Sequence, residues 1–191
     1  MQVSETDALI VVDVQNDFCA GGALAVRDGD AVVPVINRIA ARFSRIFYTR
    51  DWHPANHCSF SDAPEFVDKS WPPHCVQDTP GAEFHPELYM PDDAVVISAA
   101  ADPDREAYSG FEGTDLAVQL RDAGIRRVFV CGLATDYCVR ATALDALAEG
   151  FEVVLVEDAC RGVDIPAGNA AAAIEEMRQA GAAVVHSREV C

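Results

Sequence analysis

The sequence predicts an α/β fold, a mostly parallel sheet with helices on both faces. Short apolar runs alternate with longer amphipathic stretches from one end of the chain to the other, and Gly124, Gly150 and Gly181 each stand between such a stretch and the next run. Strands separated by helices of ten or more residues imply right-handed βαβ crossovers and hence parallel pairing.

In chain order, Leu9 to Val14 (LIVVDV) reads as a central strand, because it is nearly continuous in apolar residues. Asp30 to Arg42 carries apolar residues at helical spacing, and Arg45 to Thr49 returns to a strand. Asp51 to Asp93 breaks the rhythm: it is rich in Pro, His and Trp, has no periodicity, and reads as a functional insertion. The alternation resumes with strands at Ala94 to Ser98, Arg127 to Cys131, Glu152 to Val156 and Ala182 to Val185. Helices are expected at Thr114 to Ala123, Tyr137 to Glu149 and Pro166 to Ala180. The three glycines supply the left-handed residue that ends a helix. No repeat, linker or composition break divides the 191 residues, so a single domain over 1–191 is expected, with the insertion at about 51–93.

Charge narrows the function. Asp and Glu number 31 against 14 Lys and Arg, for a net charge of −17, which repels nucleic-acid backbones and anionic lipid. No segment reads as an export signal or a membrane span, so a cytoplasmic protein is expected. The seven cysteines form no close pair and read as free thiols.

Residues just past strand ends are the candidates for chemistry, because ligands of open α/β sheets bind there. Asp13 is the first. An acid in so apolar a setting must be bonded or paired, either to do chemistry or merely to satisfy loop amides. After the second strand, Asp51 and His53 could converge on one point with His74 as third ligand, a set suited to a divalent transition metal, zinc, iron or manganese. His57 is an alternative ligand, with a surface role as its simpler reading, and His85 and His186 read as structural. Cys138 falls in the first turn of a helix that Thr135 or Asp136 could cap. The helix dipole there should lower its pKa, and the free amides could hold an oxyanion. Cys19, Cys58, Cys75, Cys160 and Cys191 have no such setting and read as packing residues.

These segments resemble the nicotinamidase/pyrazinamidase enzymes of the isochorismatase-like cysteine hydrolases. The resemblance rests on DVQNDFCAGGALAV, RDWHPANH, WPPHCVQDTPGAEFHPEL, DREAYSGFEGTDLA and CGLATDYCVRATALDAL, which span most of the chain in the family's order. It implies a three-layer isochorismatase-like fold with a six-stranded sheet, and hydrolysis of nicotinamide to nicotinate and ammonia through a thioester on Cys138. It also implies Asp13 as general base, and Asp51, His53 and His74 around the metal, with Glu65 as a further contact in some relatives. Phe18, Trp71 and Tyr108 would enclose the pyridine ring. A cis peptide between Leu133 and Ala134 would aim the Ala134 and Cys138 amides at one oxyanion. Homo-oligomers are compatible with the sequence.

One position departs from the pattern. Where relatives carry a catalytic lysine at the end of the strand before AYSGFEG, this chain has Ala99. Its sole lysine, Lys69, lies in the insertion, and Arg105 lies past the strand end. A cation about 4 Å from each of two anions is worth on the order of 4 kcal/mol per pair at an effective dielectric of 20. The expectation is therefore an inactivated variant of an otherwise complete site. The alternative is a non-catalytic relative that binds nicotinamide or metal. A non-amide isochorismatase-type hydrolase is disfavoured, since that chemistry needs no cysteine nucleophile.

Overall fold

The computed structural model describes residues 1–191. Its strands are β1 (Asp7–Val12), β2 (Ile46–Asp51), β3 (Val95–Ala99), β4 (Arg127–Leu133), β5 (Glu152–Arg161) and β6 (Ala183–Val185). Its helices are α1 (Val32–Ala40), α2 (Leu116–Asp122), α3 (Arg140–Ala148) and α4 (Asn169–Ala180). The strands form one sheet in the order β3-β2-β1-β4-β5-β6, with every pair parallel. All six residues of β1 are buried, as an apolar central strand covered on both faces must be. Leu9, Ile10, Phe129 and Leu155 are fully buried around it, each contributing roughly 1.5–3 kcal/mol of burial.

Successive connections run outward on one side through β1, β2 and β3, and on the other through β4, β5 and β6. The order reverses between β1 and β4, so the crevice beyond their carboxyl ends is the place this topology offers to a ligand.

Several boundaries differ from the sequence reading. β1 stops at Val12 instead of Val14, because Asp13 turns the chain with φ +49°. Helix α1 begins at Val32, after a 3₁₀ turn at Gly29–Ala31, and α4 begins at Asn169, beyond Pro166. Strand β5 runs ten residues, to Arg161, because an irregularity in its pairing with β4 lets it resume at Gly132 opposite Cys160. Gly132 is required there: its φ is +118°, and a Cβ would lie 2.1 Å from the Val12 carbonyl oxygen. Residues 52–94 hold only a 3₁₀ turn at Pro80–Ala82 and isolated bridges, of which His53–Val76 and Phe60–Trp71 tie the insertion together. No helix is long and apolar enough to cross a membrane.

Candidate active site and metal centre

Asp51 ends β2, and a single buried side chain fixes its backbone on both sides. Gln15 Oε1 accepts from the Asp51 amide at 2.9 Å, while Gln15 Nε2 donates to the Asp51 carbonyl at 2.8 Å and to the Ala82 carbonyl at 2.9 Å. The Asp51 carboxylate then faces two imidazoles, with His53 Nε2 at 3.3 Å and His74 Nε2 at 3.8 Å from Oδ2. All three residues are buried and their ligand atoms lie within 4.8 Å of one another.

The tautomers suit a metal. His53 Nδ1 lies 3.2 Å from the Ala100 carbonyl and His74 Nδ1 lies 2.8 Å from the Pro72 carbonyl. A carbonyl can only accept, so each ring carries a proton on Nδ1, which makes Nε2 the atom that can offer a lone pair to the shared centre. The contrast is a second trio, Cys19, Asp30 and His85, whose ligand atoms are equally close. There His85 Nδ1 accepts the Glu87 amide at 3.2 Å. Its proton therefore sits on Nε2, facing Asp30 at 3.4 Å, and no lone pair remains for an ion. His85 is structural, as the sequence suggests.

His57 corrects the sequence reading. It is buried, not a surface residue, and both nitrogens are occupied, Nδ1 by the Ser59 hydroxyl at 2.8 Å and Nε2 by the Arg105 carbonyl at 3.2 Å. It packs at a tilt against His53 without joining the trio, its ring centroid 4.3 Å away. Glu65 is exposed in the insertion, its amide held by Ser70. It too stands outside the trio.

Asp13, just past β1, is buried and accepts a 2.6 Å hydrogen bond from the Thr49 hydroxyl. It comes within 4.8 Å of Asp51 and of Cys138 Sγ. Burial, and then the charge of Asp51, push its carboxyl up to about 8, against hydrogen bonds from Thr49 and Cys138. Cys138 lies in a single wide helical turn, Thr135–Val139, that leads into α3. Its thiol is the reverse of what the helix terminus suggests: burial, followed by Asp51 and Asp13, raises its pKa well above the ordinary value. In a dry site two carboxylates outweigh a dipole whose effect is typically 0.3–1 kcal/mol or about 2 at most. The expected caps are also absent. Neither Thr135 nor Asp136 bonds the amides of this turn, and Asp136 instead accepts the Val163 and Asp164 amides at 2.9 and 2.8 Å, holding the loop after β5.

The Leu133–Ala134 peptide is cis. The Ala134 amide has no acceptor among the backbone hydrogen bonds, and Ala134 and Cys138 line one cavity with Phe18, Trp71 and Tyr108. Trp71 Nε1 donates to the Tyr108 hydroxyl at 3.1 Å, joining two of the aromatic walls. Tyr137 and Glu106 also line the cavity, which sequence reasoning missed. Glu106 precedes Tyr108 by two positions, and an i, i+2 pair in extended chain faces one side. Burial, then Asp51, raises its carboxyl pKa.

Ala99 ends β3 and is buried. No Lys or Arg lines the cavity. Lys69 stands 5.6 Å from the Tyr108 ring, and Arg105 is engaged with Glu112 at 3.0 Å. Of the other thiols, Cys19, Cys75, Cys131 and Cys160 are buried. Cys58 and Cys191 are exposed, contrary to a packing role, since each lies in irregular chain away from the sheet.

Fold and site together define a parallel α/β protein with a buried Asp-His-His trio, a candidate metal site, beside a buried aspartate–cysteine pair. The chain belongs to the isochorismatase family: the Isochorismatase domain matches residues 7–189. It is 44% identical over 196 residues to the nicotinamidase of Escherichia coli K12, covering 92% of each chain. It is 45% identical over 190 residues to the nicotinamidase/pyrazinamidase of Mycobacterium tuberculosis, covering 94% of this chain and 98% of that one. The solved pyrazinamidase of Pyrococcus horikoshii, in complex with zinc, superposes with a TM-score of 0.84 at 51% identity, covering 95% of this chain and 99% of its own.

Proposed function

We propose that this chain is an amidohydrolase of the nicotinamidase type, taking nicotinamide to nicotinate and ammonia, and that Ala99 lowers its turnover. The observation that carries the reading is the meeting of Asp13, Asp51 and Cys138 within 4.8 Å beside an aromatic cavity. The E. coli and M. tuberculosis relatives support the choice of substrate. Residues 1–191 act as one domain, with the insertion at 51–93 supplying His53, His74 and Trp71.

In this reading Phe18, Trp71 and Tyr108 hold a flat aromatic amide, and Asp13 takes the proton from Cys138 Sγ. The sulfur attacks the carboxamide carbon, and the oxyanion rests on the Ala134 and Cys138 amides. Asp13 returns the proton to the departing ammonia, leaving a thioester. Asp13 then draws a proton from water as it hydrolyses the thioester, and Cys138 is regenerated. Asp51, His53 and His74 would hold a divalent metal, zinc first, which when bound supplies a positive charge that orients the ring and offsets the local carboxylates. The zinc complex of the P. horikoshii relative supports that choice.

Position 99 is where a cation would favour the thiolate. Without it, burial and the Asp51 charge favour the protonated forms of Asp13 and Cys138, so a slow enzyme is expected. The test is ammonia release from nicotinamide by the chain and by its Ala99→Lys and Cys138→Ala variants. The parent should release ammonia slowly, Ala99→Lys should release it faster, and Cys138→Ala should release none. No release even with lysine restored would overturn the reading in favour of a binding protein, which the missing cation also suits.

A further inference from the structure

Asp51 belongs to two groups of ligand atoms. Its Oδ2 faces His53 and His74, and with Asp13 and Cys138 it makes a second buried trio whose ligand atoms all lie within 4.8 Å. Around one zinc ion, at bond lengths of about 2.0–2.3 Å, ligand atoms stand about 3.3–3.8 Å apart, so a contraction of roughly 1 Å closes this trio on an ion. Asp51 and Cys138 line one cavity with Glu106, Asp13 lies within 4.8 Å of both, and no Lys or Arg lines that cavity. Two buried acids without a fixed cation are a costly arrangement that an ion relieves.

We propose that Asp13, Asp51 and Cys138 bind a second divalent metal ion, with Asp51 bridging it to the ion held by His53 and His74. The proposal rests on the reading of Asp51, His53 and His74 as the first metal site, with which it shares Asp51. Binding displaces the Cys138 thiol proton, and any proton on Asp13, to solvent, and forms one sulfur–metal bond. A thiolate and a hard carboxylate pair select a borderline ion such as Zn²⁺ or Co²⁺ over Mg²⁺ or Ca²⁺. Thr49 holds one Asp13 oxygen, and the hydrogen bond that Asp13 accepts from Cys138 is released when the thiol proton leaves. Bound sulfur cannot attack a carbonyl, so the second ion and turnover exclude one another.

Ala99 offers the control, because it lies directly opposite Asp51 in the β2–β3 ladder. A lysine there puts a resident cation where the second ion would otherwise be drawn. Protein stripped of metal is titrated with Co²⁺, bound metal is counted after dialysis, and the near-ultraviolet sulfur-to-cobalt charge-transfer absorption is followed. The parent chain should take two equivalents, the second bringing the sulfur band. Cys138→Ser and Ala99→Lys should each take one, a twofold drop, without that band. One equivalent and no sulfur band in the parent overturns the second site while leaving the first intact. No binding at all overturns the first site and this one with it. A band that survives in Cys138→Ser, or two equivalents in Ala99→Lys, also overturns the proposal.

Discussion

Ala99 and Asp51 are partners across the parallel ladder of β2 and β3, and the Trp52 amide donates to the Ala99 carbonyl at 3.0 Å. The position without a cation is therefore the immediate neighbour of the carboxylate that faces His53 and His74. A methyl group there leaves Asp13 and Asp51 to face one another through a buried space with no fixed positive charge.

Restoring that charge should act on the rate. Ala99→Lys should raise kcat/KM for nicotinamide by about 10²-fold or more, the scale of a positioned charge in a catalytic site. Steady-state ammonia assays decide it, and an unchanged rate would mean that a cation at this position does not govern the chemistry.

Cys138 should report the same electrostatics without substrate. Its raised pKa predicts slow alkylation by iodoacetamide near neutral pH, well behind exposed Cys58 and Cys191. In Ala99→Lys the rise of the Cys138 rate should move to lower pH. Peptide mass spectrometry separates the sites, and superimposable pH profiles would contradict the electrostatic account.

Asp13 gives a stability prediction whose sign follows from its raised pKa. The unfolded carboxyl ionises near 4 and the folded one near 8. The folded state then binds more protons between these values, so this group's contribution to stability is greatest below about pH 4 and declines as pH rises toward 8. Asp13→Asn cannot ionise and should gain melting temperature relative to the metal-free parent between about pH 5 and pH 8. A constant offset across that range would show that Asp13 titrates normally.

Gln15 should matter more than its neutral side chain suggests. Gln15→Leu leaves the Asp51 amide and two carbonyls without partners, at about 1–3 kcal/mol for each group that water cannot reach. The variant should melt lower and bind Co²⁺ more weakly than the parent. Unaltered affinity would show that Asp51 is held by the sheet alone.

The order of strands and helices was legible because apolar runs and helix-ending glycines are local. Ile10 and Val130 announce a buried strand from composition alone. Asp13, Asp51, His53 and His74 could be placed because each follows a strand end or lies in a motif. What escaped depends on distant chain: Gln15 matters only because Asp51 and Ala82 come to it, and Thr49 only because β1 and β2 end level. His57 looked superficial until Arg105 covered it, and the Cys138 thiol looked activated until two carboxylates closed around it.

The outward nitrogens of His53 and His74 are both held by main-chain carbonyls, those of Ala100 and Pro72. Every residue type brings the same carbonyl, so the orientation of these rings is stored in the path of the chain and not in the identity of its neighbours. Side-chain drift around such rings can abolish a reaction while the capacity to grip an ion persists. Ring orientation and the charge at position 99 thus rest on different parts of the chain, and a substitution at residue 99 leaves both of these carbonyl contacts in place.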